Sequence, residues 1–146
     1  MADSTPETGL EAIRRKLKSG ELSSMHAHMN MKTVDVGQGW AVIEAEALPE
    51  FDNAYGRTHG GFAATLIDTA LGIAVMAHLP AGAPAGTIDL NVKYVRKIDP
   101  TTGKLLARGR VVHGGRTLVT AEARVEDANG VLYAHGSGSF LVYPNK

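Results

Sequence analysis

At 146 residues, with 15 Lys and Arg balanced by 15 Asp and Glu, the chain has the length of a single domain, 1–146, and no net charge. That balance argues against a nucleic-acid binder working through a large electrostatic footprint, and the absence of cysteine excludes thiolate zinc, iron–sulfur and disulfide-stapled designs. The composition is globular, 44% hydrophobic and 21% charged, with glycine in surplus: 17 residues where average usage gives roughly 10.

Residues 1–8 are expected to be disordered, and they carry no basic or apolar leader pattern, so cytoplasm is the expected compartment. Leu10, Ala12, Ile13 and Leu17 then recur at helical spacing ahead of Gly20, which predicts a short N-terminal helix. Strands are expected at Met31–Val36 and Trp40–Ala47, on either side of a Gly37-Gln38-Gly39 turn. A loop from Leu48 to Thr58 leads into a long helix starting at Gly60, and the Pro80–Pro84 stretch stops it. Four more strands are predicted at Thr87–Lys97, Lys104–His113, Arg116–Glu126 and Val131–Tyr143. The turn before the last of them holds Asn129-Gly130, a strong hairpin signal between alternating stretches.

The run from Gly60 to Leu79 has about the 20 residues a bilayer span needs. Asp68 at its centre would cost roughly 2.5–3.5 kcal/mol in a membrane, and the neighbouring strands offer faces that need covering. The expectation is a buried core helix and no membrane span. Alternation supports this: Leu105, Ala107 and Gly109, then Val119, Ala121 and Ala123, then Ala134, Gly136 and Gly138 share one face, small in its middle. In the third strand, Ile88, Leu90, Val92 and Tyr94 fall on one face and Thr87 on the other. The helix is apolar around most of its circumference, as buried helices are, and the sheet is expected to curl around it.

Asp68 is the most informative residue, because a carboxylate in a buried helix needs a partner or a function. One reading is purely structural, with Asp68 bonded to a neighbour such as Thr65 or Thr69. The other takes Thr58-His59-Gly60-Gly61 as a helix start whose free amides, with no Cβ in the way, can approach an oxyanion closely. Eight residues separate Gly60 from Asp68, about 12 Å of helix rise. One helix therefore cannot present both groups to one carbonyl. If both act, they come from two chains with antiparallel central helices.

A hairpin, a long helix and four antiparallel strands in this order resemble the α+β hotdog fold, a curled antiparallel sheet of about six strands wrapped around one central helix. The run Asn53-x-x-Gly56-x-x-His59-Gly60-Gly61, followed six residues later by Asp68, resembles the signature of the PaaI-like (phenylacetic acid degradation) acyl-CoA thioesterases. These are relatives of the 4-hydroxybenzoyl-CoA thioesterases, and the similarity spans Met31 to Tyr143. The resemblance implies hydrolysis of an acyl-CoA thioester, with Asp68 of a partner subunit as nucleophile or general base. It implies that the Gly60 amide polarises the carbonyl with His59 beside it, that Asn53 helps place water or thioester, and that Thr87 orients the water. Gly114, Gly115 and Arg116 correspond to the coenzyme A contacts, and Gly61 and Phe62 are candidate substrate contacts near the acyl group. The family's homodimers pair further into tetramers, so the expected partners are a second copy and acyl-CoA, with no nucleic acid. No cofactor is implied, the CoA thioester being the substrate. The alternative is a non-catalytic acyl-CoA or acyl-carrier binding module on the same fold. His26-Ala-His28 lacks a third ligand, so no metal is expected. The acyl group, aryl or alkyl, is open at this level.

Overall fold

The computed structural model describes residues 5–21 and 23–143. Helix α1 (Gly9–Ser19) and the short α2 (Ser24–His28) precede a hairpin of β1 (Met31–Gly37) and β2 (Trp40–Ala45). A 3₁₀ turn at Pro49–Phe51 leads to the long helix α3 (Gly60–His78), and the strands β3 (Ala85–Tyr94), β4 (Leu105–Gly114), β5 (Leu118–Asp127) and β6 (Leu132–Val142) complete the domain. α2, with no apolar periodicity of its own, was not expected.

Local chemistry sets the helix ends. Thr8 and Glu11 form a reciprocal capping box at the start of α1, and Gly20 closes it at φ 73°. Glu7 pairs with Arg15, and the Ala81 N–H donates to the Glu7 carbonyl at 3.1 Å. The expected disorder of residues 1–8 is therefore corrected for Glu7 and Thr8, which are tied to α1 and to the segment after α3; residues 1–4 lie outside the described residues.

The six strands form one antiparallel sheet in the order β1-β2-β4-β5-β6-β3. Helix α3 leaves from the β2 side, crosses the concave face against β2, β4 and β5, and delivers the chain to the far edge as β3. This is the hotdog architecture. The small middle of the sheet is what admits the helix: a Cβ on Gly109 would lie 2.4 Å from the Ala70 carbonyl oxygen, an approach no other residue allows without displacing backbone. Ile43, Leu66, Ile67, Leu71, Leu105, Val119 and Val125 fill the core around that contact. By length and composition α3 could cross a bilayer; here it is the core helix of the sheet.

Two expectations about faces are corrected. α3 is not covered all round: between Gly61 and Ala77, the residues that are not buried are Gly61, Ala64, Thr65, Asp68, Thr69, Gly72, Ile73 and Met76. They recur every three or four positions and form one stripe along the helix. Asp68 lies on that stripe, half-buried, and the described residues include no fully buried charged or polar side chain. The second correction is in β3, where the pairing with β6 slips between Thr87 and Asp89. The extra residue turns Thr87 to the concave face, opposite Phe140, whereas strict alternation puts it on the convex one.

Candidate active site

Asp68 and Thr87 come from different elements and meet because of that slip. The Thr87 hydroxyl donates to Asp68 Oδ1 at 2.9 Å, and Oδ2 has no hydrogen-bond partner among the described residues. Both side chains line an open trough of about 530 Å³ between the uncovered stripe of α3 and the start of β3, with Gly61, Gly72, Gly86 and Leu90 among its other walls. A carboxylate steadied through one oxygen and free at the other can accept a proton from water or attack an electrophile.

The start of α3 is organised separately. His59 is the N-cap residue, and its Nδ1 accepts the Gly61 N–H at 2.8 Å. The Tyr94 hydroxyl donates to the Gly60 carbonyl at 2.9 Å. The peptide joining Gly60 and Gly61 is thus held at both ends, by His59 and by Tyr94. The Gly60 N–H is left with no acceptor among the described residues, at the positive end of a 19-residue helix. The Tyr94 ring packs close to Gly60: a Cβ on residue 60 would lie 3.2 Å from its hydroxyl oxygen and press on the ring. Tyr94 was not among the sequence candidates, since nothing local connects positions 60 and 94.

Asn53 shapes the approach to this helix end. Its Oδ1 accepts the N–H of Tyr55 at 2.9 Å and of Arg57 at 3.3 Å, and the His59 N–H donates to the Phe51 carbonyl at 2.8 Å. The side-chain oxygen is occupied in forming the loop, and Asn53 does not line the Asp68 trough of its own chain.

The remaining candidates fall elsewhere. Phe62 is buried in the core and stacked on Phe51, with ring centroids 5.4 Å apart, so it does not face the Asp68 trough. Gly114 lies against His78, at the opposite end of α3 from Gly60, and Gly115 and Arg116 continue that turn. Within one chain, Asp68, Thr87 and Gly61 share a cavity, Gly60 and His59 lie about two turns away along the helix, and Gly114–Arg116 lie beyond the other end. No cluster of metal-ligating residues is present among the described residues.

One flank of this region is open. β3 is an edge strand, and its Ile88 and Tyr94 are 55% and 58% exposed. α2 brings Met25 and His26 to the far wall of the trough, and burial lowers the His26 pKa from its usual 6.5, favouring the neutral ring.

Comparison with known proteins agrees with this architecture. Residues 55–134 match the thioesterase superfamily, a span that includes Gly60, Asp68 and Thr87. An esterase candidate from Halobacterium salinarum is 44% identical over 106 residues, 67% of this chain and 68% of that protein. Human acyl-coenzyme A thioesterase 13 is 32% identical over 106 residues, 70% of this chain and 73% of the relative. Among solved structures, the PaaI protein of the Escherichia coli phenylacetic acid degradation operon superposes with a TM-score of 0.80 at 18% identity. That superposition covers 92% of this chain and 95% of PaaI, and it is a likeness of fold. By its fold, its matched residues and these relatives, the chain belongs to the thioesterase superfamily, whose chemistry is thioester hydrolysis.

Proposed function

We propose that the protein hydrolyses acyl-CoA thioesters in a site built by two copies of the chain. The observation that carries the reading is the Asp68 carboxylate, bonded to Thr87 through one oxygen and free at the other, on the one stripe of α3 that its own sheet leaves uncovered. The Gly60 N–H is the matching electrophilic group, but about 12 Å of helix separates it from Asp68. A second copy with its α3 antiparallel brings the Gly60 amide of one subunit opposite Asp68 of the other. The same pairing covers the small-residue stripe and shields the apolar edge of β3, a surface that chains seldom leave open.

In this site the carbonyl oxygen of the thioester accepts the Gly60 N–H, and the helix dipole stabilises the oxyanion that develops. With Asp68 as general base, the carboxylate takes a proton from water as the water oxygen attacks the carbonyl carbon. The C–S bond then breaks and the CoA thiolate leaves, to be protonated to the thiol. With Asp68 as nucleophile, its oxygen displaces CoA and water then hydrolyses the acyl anhydride. Thr87 steadies the attacking group in either course. The human relative, by its name an acyl-coenzyme A thioesterase, favours CoA esters as the substrates.

The test is turnover of a panel of aryl and alkyl CoA esters by the purified protein and by Asp68→Asn. The variant is expected to lose about 10²–10⁴-fold in kcat, the usual worth of a positioned acid–base group. Retention of turnover within about tenfold, 1.4 kcal/mol of barrier, overturns the role of Asp68.

A further inference from the structure

The Asp68 trough does not end at Asp68. It runs on past Gly72 to Ile73, Met76 and His26, and these last three also line a second groove of about 410 Å³ between α1, α2 and α3. The far walls of that groove are Ile13 and Leu17 of α1, with Lys16 at the exposed rim. The two cavities adjoin along these shared walls and together make a channel that starts at the carboxylate; in the groove Ile13 and Leu17 stand beside the polar Glu21, Ser23 and Thr33. The part formed by α1 and α2 lies outside the residues that match the superfamily.

The two-copy arrangement leaves this channel open. When Gly60 of one helix faces Asp68 of the other, the antiparallel register turns about Ala64, so the partner's helix begins opposite Asp68. Gly72, Ile73 and Met76 lie beyond its end, beneath the loop that precedes it. That loop carries Tyr55, 89% exposed in the single chain and free to roof the channel from the partner subunit.

Resting on the thioesterase reading, we propose that the acyl chain of the substrate runs from Asp68 along α3 into the groove between α1 and α2, so that linear alkyl thioesters of medium length are the preferred substrates. Asp68 and Met76 are eight residues apart, about 12 Å of helix, which an extended chain of roughly eight to ten carbons spans. A neutral His26 at the junction suits an apolar occupant, and burial favours that form. Short acyl groups leave the groove empty, and longer ones must emerge at the Lys16 rim.

The experiment compares kcat/KM for butanoyl-, decanoyl- and hexadecanoyl-CoA. Decanoyl-CoA is expected to exceed butanoyl-CoA by about tenfold or more, with no further gain at sixteen carbons. Leu17→Trp and Ile73→Trp, which fill the groove from α1 and from α3, are each expected to reduce the decanoyl-to-butanoyl ratio to about threefold or less. Circular dichroism and melting establish that each variant is folded. As a measurement on the unaltered protein, a decyl thioether of CoA carrying a diazirine on its terminal carbon is expected to label α1 or α2. A flat chain-length profile, or labelling away from α1 and α2, overturns the groove while leaving hydrolysis intact. Labelling of α1 or α2 without hydrolysis of any ester supports the groove and overturns the thioesterase reading instead.

Discussion

The Thr87 hydroxyl donates to Asp68 Oδ1 across 2.9 Å, joining the edge strand β3 to the centre of α3. The two residues are neighbours only because β3 slips by one residue against β6 between Thr87 and Asp89. A β3 in perfect register would turn Thr87 to the convex face and leave the carboxylate without this partner. The first prediction follows from this bond. Thr87→Val is expected to keep the fold, since Thr87 is exposed and at the sheet edge. It should lower kcat on CoA esters by about tenfold, the scale of one hydrogen bond of about 1–1.5 kcal/mol at the reacting group. Steady-state kinetics beside a melting curve measures both.

In the proposed mechanism Tyr94 would position the Gly60 amide without touching the reacting atoms. Its hydroxyl holds the Gly60 carbonyl at 2.9 Å, and His59 Nδ1 holds the next N–H at 2.8 Å. Tyr94→Phe keeps the ring that packs beside Gly60 and removes only the hydroxyl. The expected result is a fall of about three- to tenfold in kcat, with KM and melting temperature close to those of the wild type. An equal loss in KM alone would point to substrate contact and not to positioning.

Ala64 lies on the uncovered stripe of α3, and it would be the pivot of the proposed antiparallel pairing of two helices. Ala64→Trp is expected to fold as a monomer, because Ala64 is only half-buried and borders the open trough, while blocking close approach of the second helix. Light scattering should show half the mass of the wild-type species or less. Activity should fall by about 10²-fold or more as the Gly60 amide of the partner is lost. Wild-type protein that is strictly monomeric and fully active would refute the shared site.

The capping box of α1 makes a pH-dependent contribution to stability. The Thr8 backbone N–H, and next its hydroxyl, hold the Glu11 carboxyl below its ordinary value of 4.5. A folded-state value below the unfolded one means the contribution is complete above about pH 4.5 and is lost as pH falls through the lowered folded value. Glu11→Gln should therefore melt below the wild type near pH 7, by about 2–4 °C at most for a cap of this kind. The gap should close as melting is repeated towards pH 3.

How much of this was legible in the sequence depends on the range of the interaction. α1 could be read from its apolar spacing and Gly20, and α3 from its apolar run between His59 and the Pro80–Pro84 break, because helix ends are set by residues within a turn or two. The concave faces of β4, β5 and β6 followed from alternation, since a regular strand presents every second residue to the same side. The spacing of Gly60 and Asp68 was enough to show that one helix cannot bring both to one carbonyl.

Other features were decided by partners far away in the chain. The slip at Ile88 exists only in the pairing of β3 with β6, so alternation alone assigned Thr87 to the wrong face. The uncovered stripe depends on how far the sheet reaches around α3, and a composition apolar on nearly all sides suggested complete burial instead. Phe62 entered the core because Phe51 lies against it, and Gly114 went to the His78 end of the helix because β4 runs that way across the sheet. Tyr94 reaches Gly60 across 34 residues. Local periodicity and capping determined the elements and named Asp68 and Gly60; which groups touch them was decided by the sheet, where register and curvature are set by contacts between distant parts of the chain.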